Sequence, residues 1–279
     1  MLASEKEIKK MLRKNNLAPN KLMGQHFLID EEVLRQIVAS ARMTKQDVIL
    51  EAGPGLGVLT RALAKKAKQV IAVEKDPVLT AVLQKQLAEE KINNVALIAK
   101  DILHFNPKEY GLRGGQYKII ANLPYYLSGK FLRKFLTESE KPKTMILLLQ
   151  KEVAERIVAG PPGMSLLSLS VQLYAKPKII SEISKNSFYP KPKIESALIK
   201  ISGISNDFFK KNKIEEQVFW NIAKAGFSQK RKTLLNNLSG ALAMPKTELE
   251  QVLKSAEINP GARAESLSLK QWTKLATLL

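Results

Sequence analysis

The sequence predicts an α/β fold, followed by a small all-helical C-terminal domain. Up to about residue 201, short apolar runs typical of buried strands alternate with segments of helical periodicity. After Gly203-Ile204-Ser205-Asn206 the strand patterns stop, and helical periodicity alone continues to the C-terminus. We therefore predict two domains, residues 1–205 and residues 206–279.

The composition is that of an ordinary soluble protein, with 45% hydrophobic and 25% charged residues among 279. Cysteine is absent, and the two histidines are too few for a histidine-based metal site, so we expect no metal. No apolar run is long enough to span a membrane. The first ten residues carry two glutamates and no apolar core, so we expect no targeting peptide and a cytoplasmic location.

The charge balance points to a polyanionic partner. Forty-five basic residues against 26 acidic ones give a net charge of +19, and the excess is spread over residues 1–119, 120–203 and 204–279. A broad positive surface of this kind favours nucleic acid. Anionic lipid, or a general solubility effect, would also account for it.

Two helices are predicted before the first strand. A short basic helical pattern covers Ser4–Asn15, and Asp30 has the position of an N-cap for a helix that runs to about Ala41. His26 lies between them, and a lone histidine is more often a structural hydrogen-bonding residue than a ligand contact.

A glycine loop follows the first strand, Val48–Glu51. The loop contains Gly53, Gly55 and Gly57, and a helix is expected from about Val58 to Lys65. Strand, glycine loop and helix form an arrangement that lets a backbone approach a nucleotide. The dinucleotide fingerprint is not met, because Val58 stands where its third glycine would be, and the Gly-Lys-Ser/Thr of a phosphate-binding loop is also missing.

Acidic residues mark the ends of the next two strands. Glu74 ends the strand that begins at Gln69, and Asp101 follows the strand Asn94–Ala99. Either acid alone could be an ordinary surface residue or a cap. With the glycine loop, however, they occupy three successive strand ends, and this register fits a class I S-adenosylmethionine site: methionine at the loop, ribose at Glu74 and adenine at Asp101.

The fourth strand, Tyr117–Ala121, ends in Asn122-Leu123-Pro124-Tyr125. An amide oxygen and a main-chain carbonyl side by side suit an exocyclic amino group, which offers two donors, and the Tyr125 ring suits the face of a base. The alternative is a plain strand-to-helix turn, in which Asn and Pro are common.

In the rest of the first domain, apolar runs predict a strand over Lys143–Leu149 and an antiparallel pair of strands, Lys178–Ile183 and Ser196–Ile201. Helices are expected over residues 127–136, from residue 150, and over 166–174. The segment Phe188–Lys193 is aromatic, rigid and basic. It is either a hairpin connection or a means of placing Phe188, Lys191 and Lys193 on a nucleic-acid face.

Four helices are predicted in the C-terminal domain, over about 213–225, 230–239, 246–256 and 268–278. Gln229-Lys230-Arg231-Lys232 is expected to open the second of them. Lys230, Arg231 and Lys232 could hold RNA phosphates, although a solvated charge run is nearly as good an explanation.

Taken together, these motifs resemble those of the small-subunit ribosomal RNA adenine N6,N6-dimethyltransferases (the KsgA/RsmA family), from about residue 20 to the C-terminus. The matching segments, in order, are Gly24–Leu28, Glu51–Gly57, Val73–Asp76, Asp101, Asn122–Tyr125, Gln150–Arg156, Phe188–Lys193, Arg231–Leu234 and Arg263–Ser268. One departure is His26, where many members carry asparagine.

The resemblance implies a class I S-adenosylmethionine-dependent methyltransferase with a Rossmann-like, seven-stranded mixed sheet. Methyl groups from S-adenosyl-L-methionine would go to N6 of two adjacent adenosines in the 3′-terminal hairpin loop of small-subunit rRNA, on a precursor subunit. The implied cofactor residues are His26, Leu28, Glu51, Gly53, Gly55, Gly57, Glu74, Asp101 and Asn122. The implied base-holding residues are Asn122, Leu123, Pro124, Tyr125 and Phe188. We expect a monomer.

Two other functions fit part of the pattern. An adenine methyltransferase acting on DNA or on large-subunit rRNA would share the cofactor motifs, but the C-terminal motifs argue against it. A non-catalytic RNA-binding assembly factor on the same scaffold would be expected to have lost Asn122, Tyr125 or the glycine loop, and all of them are present.

Overall fold

The computed structural model describes residues 4–20 and 24–279, so Lys21, Leu22 and Met23 of the segment before Gly24 lie outside it. The strands are β1 (Phe27–Leu28), β2 (Val48–Ala52), β3 (Gln69–Glu74), β4 (Val95–Ala99), β5 (Tyr117–Asn122), β6 (Thr144–Gln150), β7 (Lys176–Ile183), β8 (Phe188–Tyr189) and β9 (Ser196–Ser202). The helices are α1 (Glu5–Lys14), α2 (Glu31–Ser40), α3 (Val58–Ala64), α4 (Pro77–Glu89), α5 (Ser128–Thr137), α6 (Lys151–Val158), α7 (Leu166–Gln172), α8 (Asp207–Asn212), α9 (Glu216–Gly226), α10 (Leu234–Leu242), α11 (Lys246–Ser255) and α12 (Leu269–Leu278).

Within the described chain, the main sheet has seven strands in the order β4-β3-β2-β5-β6-β9-β7. Neighbours from β4 to β6 are parallel, while β9 runs antiparallel between β6 and β7. The predicted mixed sheet and the predicted antiparallel pair are thereby confirmed. The strand order reverses between β2 and β5, and in open α/β sheets ligands bind outside the carboxyl ends of the strands at such a switch point.

The local signals account for most element boundaries. Ser4, Asp30 and Asp76 each accept a main-chain N–H with their side chains at the N-termini of α1, α2 and α4, as capping residues do. The inner strands are apolar on both faces because helices cover both sides of a parallel sheet. Ile49, Ile120 and Ile146, on three neighbouring strands, are all fully buried.

A second, two-stranded sheet was not predicted. The strands β1 and β8 pair antiparallel, with Phe27 opposite Tyr189 and Leu28 opposite Phe188. Helix α1 packs in the same region, where its buried Ile8 and Leu12 join a cluster with Phe27. This pairing joins two sequence motifs that lie about 160 residues apart in the chain, and a hydrogen bond between His26 and the Pro190 carbonyl adds to it.

The chain divides by internal packing into two compact units, Met1–Ala154 with Lys176–Ile204, and Glu155–Ala175 with Ser205–Leu279. The predicted boundary lies between residues 205 and 206, one residue from the start of the last of these segments, whereas residues 155–175 pack in the helical unit. Hydrogen bonds tie them there: Tyr174 donates to Glu216, and Met164 N–H donates to the carbonyl of Glu265.

The helical unit is built around Trp272, which is fully buried and stacks on Phe227 at 5.4 Å between ring centroids. A Cβ at Gly226 would lie 2.6 Å from the Trp272 ring, so α9 can pack this closely only with glycine there. One boundary was predicted wrongly. Helix α10 begins at Leu234 with Thr233 as its cap, so Lys230, Arg231 and Lys232 lie in the turn before it and do not open it.

Candidate active site

A cavity of about 320 Å³ lies at the carboxyl ends of β2, β3 and β5, at the predicted switch point. Eleven of the residues expected in the site line it: His26, Leu28, Glu51, Gly53, Gly55, Glu74, Asp101, Asn122, Leu123, Pro124 and Tyr125. The register between strands explains the grouping. Ala52 pairs with Val73 and with Ala121, so the residues that follow these three positions emerge side by side.

The glycine loop needs glycine for two physical reasons. Gly53, Gly55 and Gly57 all have positive φ, between 56° and 79°, a region that other residues rarely adopt. Space is also restricted, because a Cβ at Gly55 would lie 3.1 Å from the Phe27 ring and one at Gly57 would lie 2.3 Å from Leu83. Gly57 does not line the cavity; it turns the loop into α3.

Arg61 stabilises the glycine loop through a hydrogen bond, a role that the sequence did not predict. Its side chain is buried, and one guanidinium nitrogen donates to the Leu56 carbonyl at 2.8 Å. The remaining donors bind Gln86 and Glu90 on and beside α4. The loop is therefore fixed to two helices.

Glu74 is buried and already organised. One carboxylate oxygen accepts the Gly55 N–H at 3.1 Å, and the other accepts the Asp76 N–H at 2.9 Å. Burial raises the pKa of Glu74, and these main-chain N–H groups act against that rise. The carboxylate retains lone pairs that can accept further donors, as ribose hydroxyls would require.

Glu51 differs from Glu74 because its carboxylate is 1% exposed and, in the described chain, has no hydrogen-bond partner at either oxygen. Burial raises the pKa of Glu51 to about 8; the neighbouring Thr60 hydroxyl acts against this rise, and the nearby charge of Glu74 adds to it. An orphaned buried carboxyl is costly and marks a site for a donor or a cation. Since Glu51 lines the cavity, a cationic ligand group bound there would supply the missing partner.

Asp101 is engaged on both oxygens. One caps the short 3-10 turn Ile102–His104 through the Leu103 N–H at 2.9 Å, and the other pairs with Lys75 at 2.9 Å. Burial acts to raise its pKa, but the Leu103 N–H and the Lys75 ammonium together hold the pKa of Asp101 below its usual value. Both interpretations of Asp101, as a capping residue and as an acceptor in the cavity wall, are therefore compatible with its position.

The orientation of Asn122 is set by the main chain opposite. Its side-chain NH₂ donates to the His26 carbonyl at 3.0 Å. Because a carbonyl can only accept, the amide nitrogen must face His26, and the amide oxygen is left to face the cavity. The β1–β8 pair that positions His26 therefore determines which hydrogen-bonding group the strand end presents.

Tyr125 is held on two sides. Its ring stacks on His26 at 5.7 Å between centroids with an interplanar angle of 27°, and its hydroxyl lies 3.1 Å from that of Ser196. His26 in turn donates from Nδ1 to the Pro190 carbonyl at 2.6 Å. Leu123 is 2% exposed and anchors the loop between the two functional side chains.

Besides Gly57, six predicted site residues lie outside the cavity. Phe188 was expected against the base, but its side chain is 3% exposed and packs in the core with Leu28 and Ile183, because β8 turns it inward. Lys191 and Lys193 are exposed on the segment after β8. Lys230, Arg231 and Lys232 are exposed in the helical unit.

In the described residues, no helix has the length and apolar character needed to cross a bilayer. Nor do three or more His, Cys, Asp or Glu side chains come together in a metal-binding cluster anywhere in that part of the chain.

Comparison with known proteins gives a consistent family. Two proteins named ribosomal RNA small subunit methyltransferase A are similar: one from Dehalococcoides mccartyi, 41% identical over 96% of this chain and 91% of its own, and one from Clostridium botulinum, 39% identical over 96% of both. A dimethyladenosine transferase structure from Plasmodium falciparum superimposes with a TM-score of 0.76 at 26% identity, covering 90% of this chain and 96% of that one. The 23S rRNA methyltransferase ErmE, at 23% identity and a TM-score of 0.69 over 91% and 99% of the two chains, shares the fold. The family model described as ribosomal RNA adenine dimethylase matches residues 16–279, and the chain belongs to that family.

Proposed function

We propose that this protein transfers methyl groups from S-adenosyl-L-methionine to N6 of two adjacent adenosines in the 3′-terminal hairpin loop of small-subunit rRNA, on a precursor small subunit. The observation that carries the proposal is the fixed orientation of Asn122, which offers an amide oxygen to the cavity beside the Tyr125 ring. The names of the similar proteins support the RNA substrate.

The residues present fit this cofactor. The orphaned carboxyl of Glu51 suits the ammonium group of its methionine part, the glycine loop lets the main chain approach, and Glu74 suits ribose hydroxyls. When bound, S-adenosylmethionine supplies an electrophilic methyl group on a positively charged sulfur. The loop that contains Gly53, Gly55 and Gly57 would set the distance between the cofactor and β5, because Arg61 already holds this loop through the Leu56 carbonyl.

The chain itself contributes positioning and electrostatics to the reaction. The lone pair of an adenine amino group is delocalised into the ring, which makes the nitrogen a weak nucleophile. Accepting its two N–H bonds at the Asn122 amide oxygen and the Leu123 carbonyl favours a tetrahedral nitrogen with the lone pair free. Tyr125 would hold the base face, which requires the adenosine to leave its stack.

Glu74→Gln should weaken cofactor binding by about 2- to 13-fold, the value of one net hydrogen bond of roughly 0.5–1.5 kcal/mol. The amide keeps one acceptor, but its NH₂ group must face either a ribose hydroxyl or the N–H of Gly55 or Asp76. Titration calorimetry with S-adenosylmethionine measures the change. Glu182→Gln, at an exposed carboxylate on β7, is the matched control, and equal affinity of the two variants would contradict the ribose role.

RNA binding should be strongly salt-dependent, because the positive excess covers both units. Log affinity should fall by about 0.7–0.9 per phosphate contacted for each unit of log salt. Neutralising Lys191 and Lys193, or separately Lys230, Arg231 and Lys232, should reduce that slope, while cofactor affinity stays unchanged. Filter binding of a synthetic hairpin RNA between low and high salt is the measurement, and a flat response would contradict an electrostatic RNA interface.

The proposed activity is tested by incubating the protein and labelled cofactor with undermethylated small subunits and, in parallel, with large-subunit rRNA and with DNA, then mapping the modified base. Label at N6 of the two loop adenosines supports the proposal. Label only in large-subunit rRNA or DNA would favour the related adenine methyltransferases. Stable binding to the subunit with no transfer to any nucleic acid would favour an assembly factor.

A further inference from the structure

Tyr126 is the next residue after the base-holding loop, and its side chain is unusually open. Among the described Phe, Tyr and Trp residues it has the largest exposed fraction, 60%. It lines the cavity together with Tyr125. Leu123 and Leu127 nearby are 2% and 8% exposed, so two buried leucine side chains hold the turn that carries Tyr126.

The backbone around Tyr126 is regular, and it borders a second segment of the chain. Tyr125–Leu127 forms a 3-10 turn that continues directly into α5. On the other side, a Cβ at Gly24 would lie 3.8 Å from Pro124 and 4.0 Å from the Tyr126 ring, so the backbone of Gly24 borders one edge of the ring. An apolar ring on a fixed turn gains little for the fold by facing solvent, which favours a role in binding.

Two cations also line the cavity beside this ring. Lys130 is exposed and stands four residues after Tyr126 along a continuous helical path, a spacing that puts both on one side. Within the described chain Lys130 has no ion-pair partner, whereas Lys75 is paired with Asp101. An aromatic ring next to a free cation is the arrangement by which proteins hold a single-stranded nucleotide.

We propose that Tyr126 is a stacking site for the nucleobase next to the target adenosine, and that Lys130 contacts the phosphate linking the two nucleotides. The proposal rests on the function proposed above. When the target base leaves its stack to reach Asn122, its neighbour loses one stacking partner, and that unstacking opposes binding. The Tyr126 ring replaces the lost partner at the point where the strand leaves the cavity.

The test measures binding of a synthetic RNA hairpin, carrying the two adjacent adenosines in its loop, to the full chain with cofactor present. Tyr126→Ala should weaken RNA binding about 5- to 150-fold, the range for loss of one base–aromatic stack, and Tyr126→Phe should stay within about twofold of wild type. Tyr110→Ala, which removes an exposed tyrosine away from the cavity, is the control and should bind as wild type does. Cofactor affinity, measured separately, should be the same in all variants.

The salt dependence of RNA affinity distinguishes the contribution of stacking from that of charge. Tyr126→Ala should lower affinity by the same factor at every salt concentration, because stacking releases no counterions. Lys130→Gln should instead reduce the slope of log affinity against log salt by about 0.7–0.9, the value of one phosphate contact.

Abasic RNAs identify the partner of the ring. Two RNAs are compared with the intact hairpin, one lacking the base on the 5′ side of the target adenosine and one lacking the base on its 3′ side. Wild-type protein should bind only one of the two more weakly. Tyr126→Ala, already weakened on the intact RNA, should bind that abasic RNA no more weakly than the intact one. Equal losses for wild type and variant on both abasic RNAs would overturn the proposal, as would normal binding by Tyr126→Ala. These outcomes differ from failure of the proposed function, in which the wild-type protein transfers no methyl group to undermethylated small subunits.

Discussion

Asn122→Ala should lower the single-turnover rate of methyl transfer by about 10²–10³, the loss that follows removal of one preorganised acceptor at a reacting group. The side chain is only partly buried at the end of β5, so its truncation opens no core cavity. Affinity for RNA, which we propose rests largely on dispersed Lys and Arg side chains, should change little. The measurement uses undermethylated small subunits at saturating cofactor.

Asn122→Asp gives a sharper version of this test. The wild-type amide donates to the His26 carbonyl, whereas a carboxylate would place an oxygen against that carbonyl and be repelled. We therefore expect the aspartate variant to retain an acceptor and yet to have only partial activity. Asn106→Ala, at an exposed asparagine that caps a short 3-10 turn, is the control. Wild-type rates in Asn122→Ala would show that this loop does not hold the amino group.

Glu51→Gln should weaken cofactor binding about 10- to 150-fold at roughly pH 8.5, because a hydrogen bond to a charged group contributes about 1.5–3 kcal/mol. The wild-type affinity should itself rise with pH up to about 8, since burial raises the pKa of Glu51 to about 8 and a cationic group binds its ionised form. Binding below that pH should release a proton. In Glu51→Gln both the proton release and this part of the pH dependence should be absent.

The stability of the ligand-free protein gives an independent readout of the same residue. The folded protein holds the Glu51 proton up to about pH 8, while an unfolded chain loses it near the ordinary value of 4.5. Stability therefore falls as the pH rises from about 4.5 to 8, and denaturant unfolding of Glu51→Gln should lack this fall. If the two proteins have parallel stability profiles across this range, the carboxyl is not the buried acid that we describe.

Local sequence signals determined a large part of this molecule. The hydrophobic period and the flanking residues predicted the positions of the strands in the main sheet. Ser4, Asp30 and Asp76 marked helix starts, because a capping side chain accepts main-chain N–H groups only two or three residues further along the chain. The glycine loop, Glu74 and Asn122 were predictable as a site because parallel strands bring their carboxyl ends to one edge. A pattern confined to neighbouring residues is sufficient for each of these features.

The tertiary structure alone decided which atoms of those residues are available. The β1–β8 pair turns Phe188 into the core and sets the Asn122 amide through His26, and no local pattern encodes a contact between segments so far apart in the chain. The same holds for the orphaned carboxyl of Glu51 and for the open ring of Tyr126, since burial and partners depend on the whole packing. Sequence therefore predicted where the candidate site lies, and long-range packing determined its hydrogen-bonding groups, its charge and its exposed surfaces.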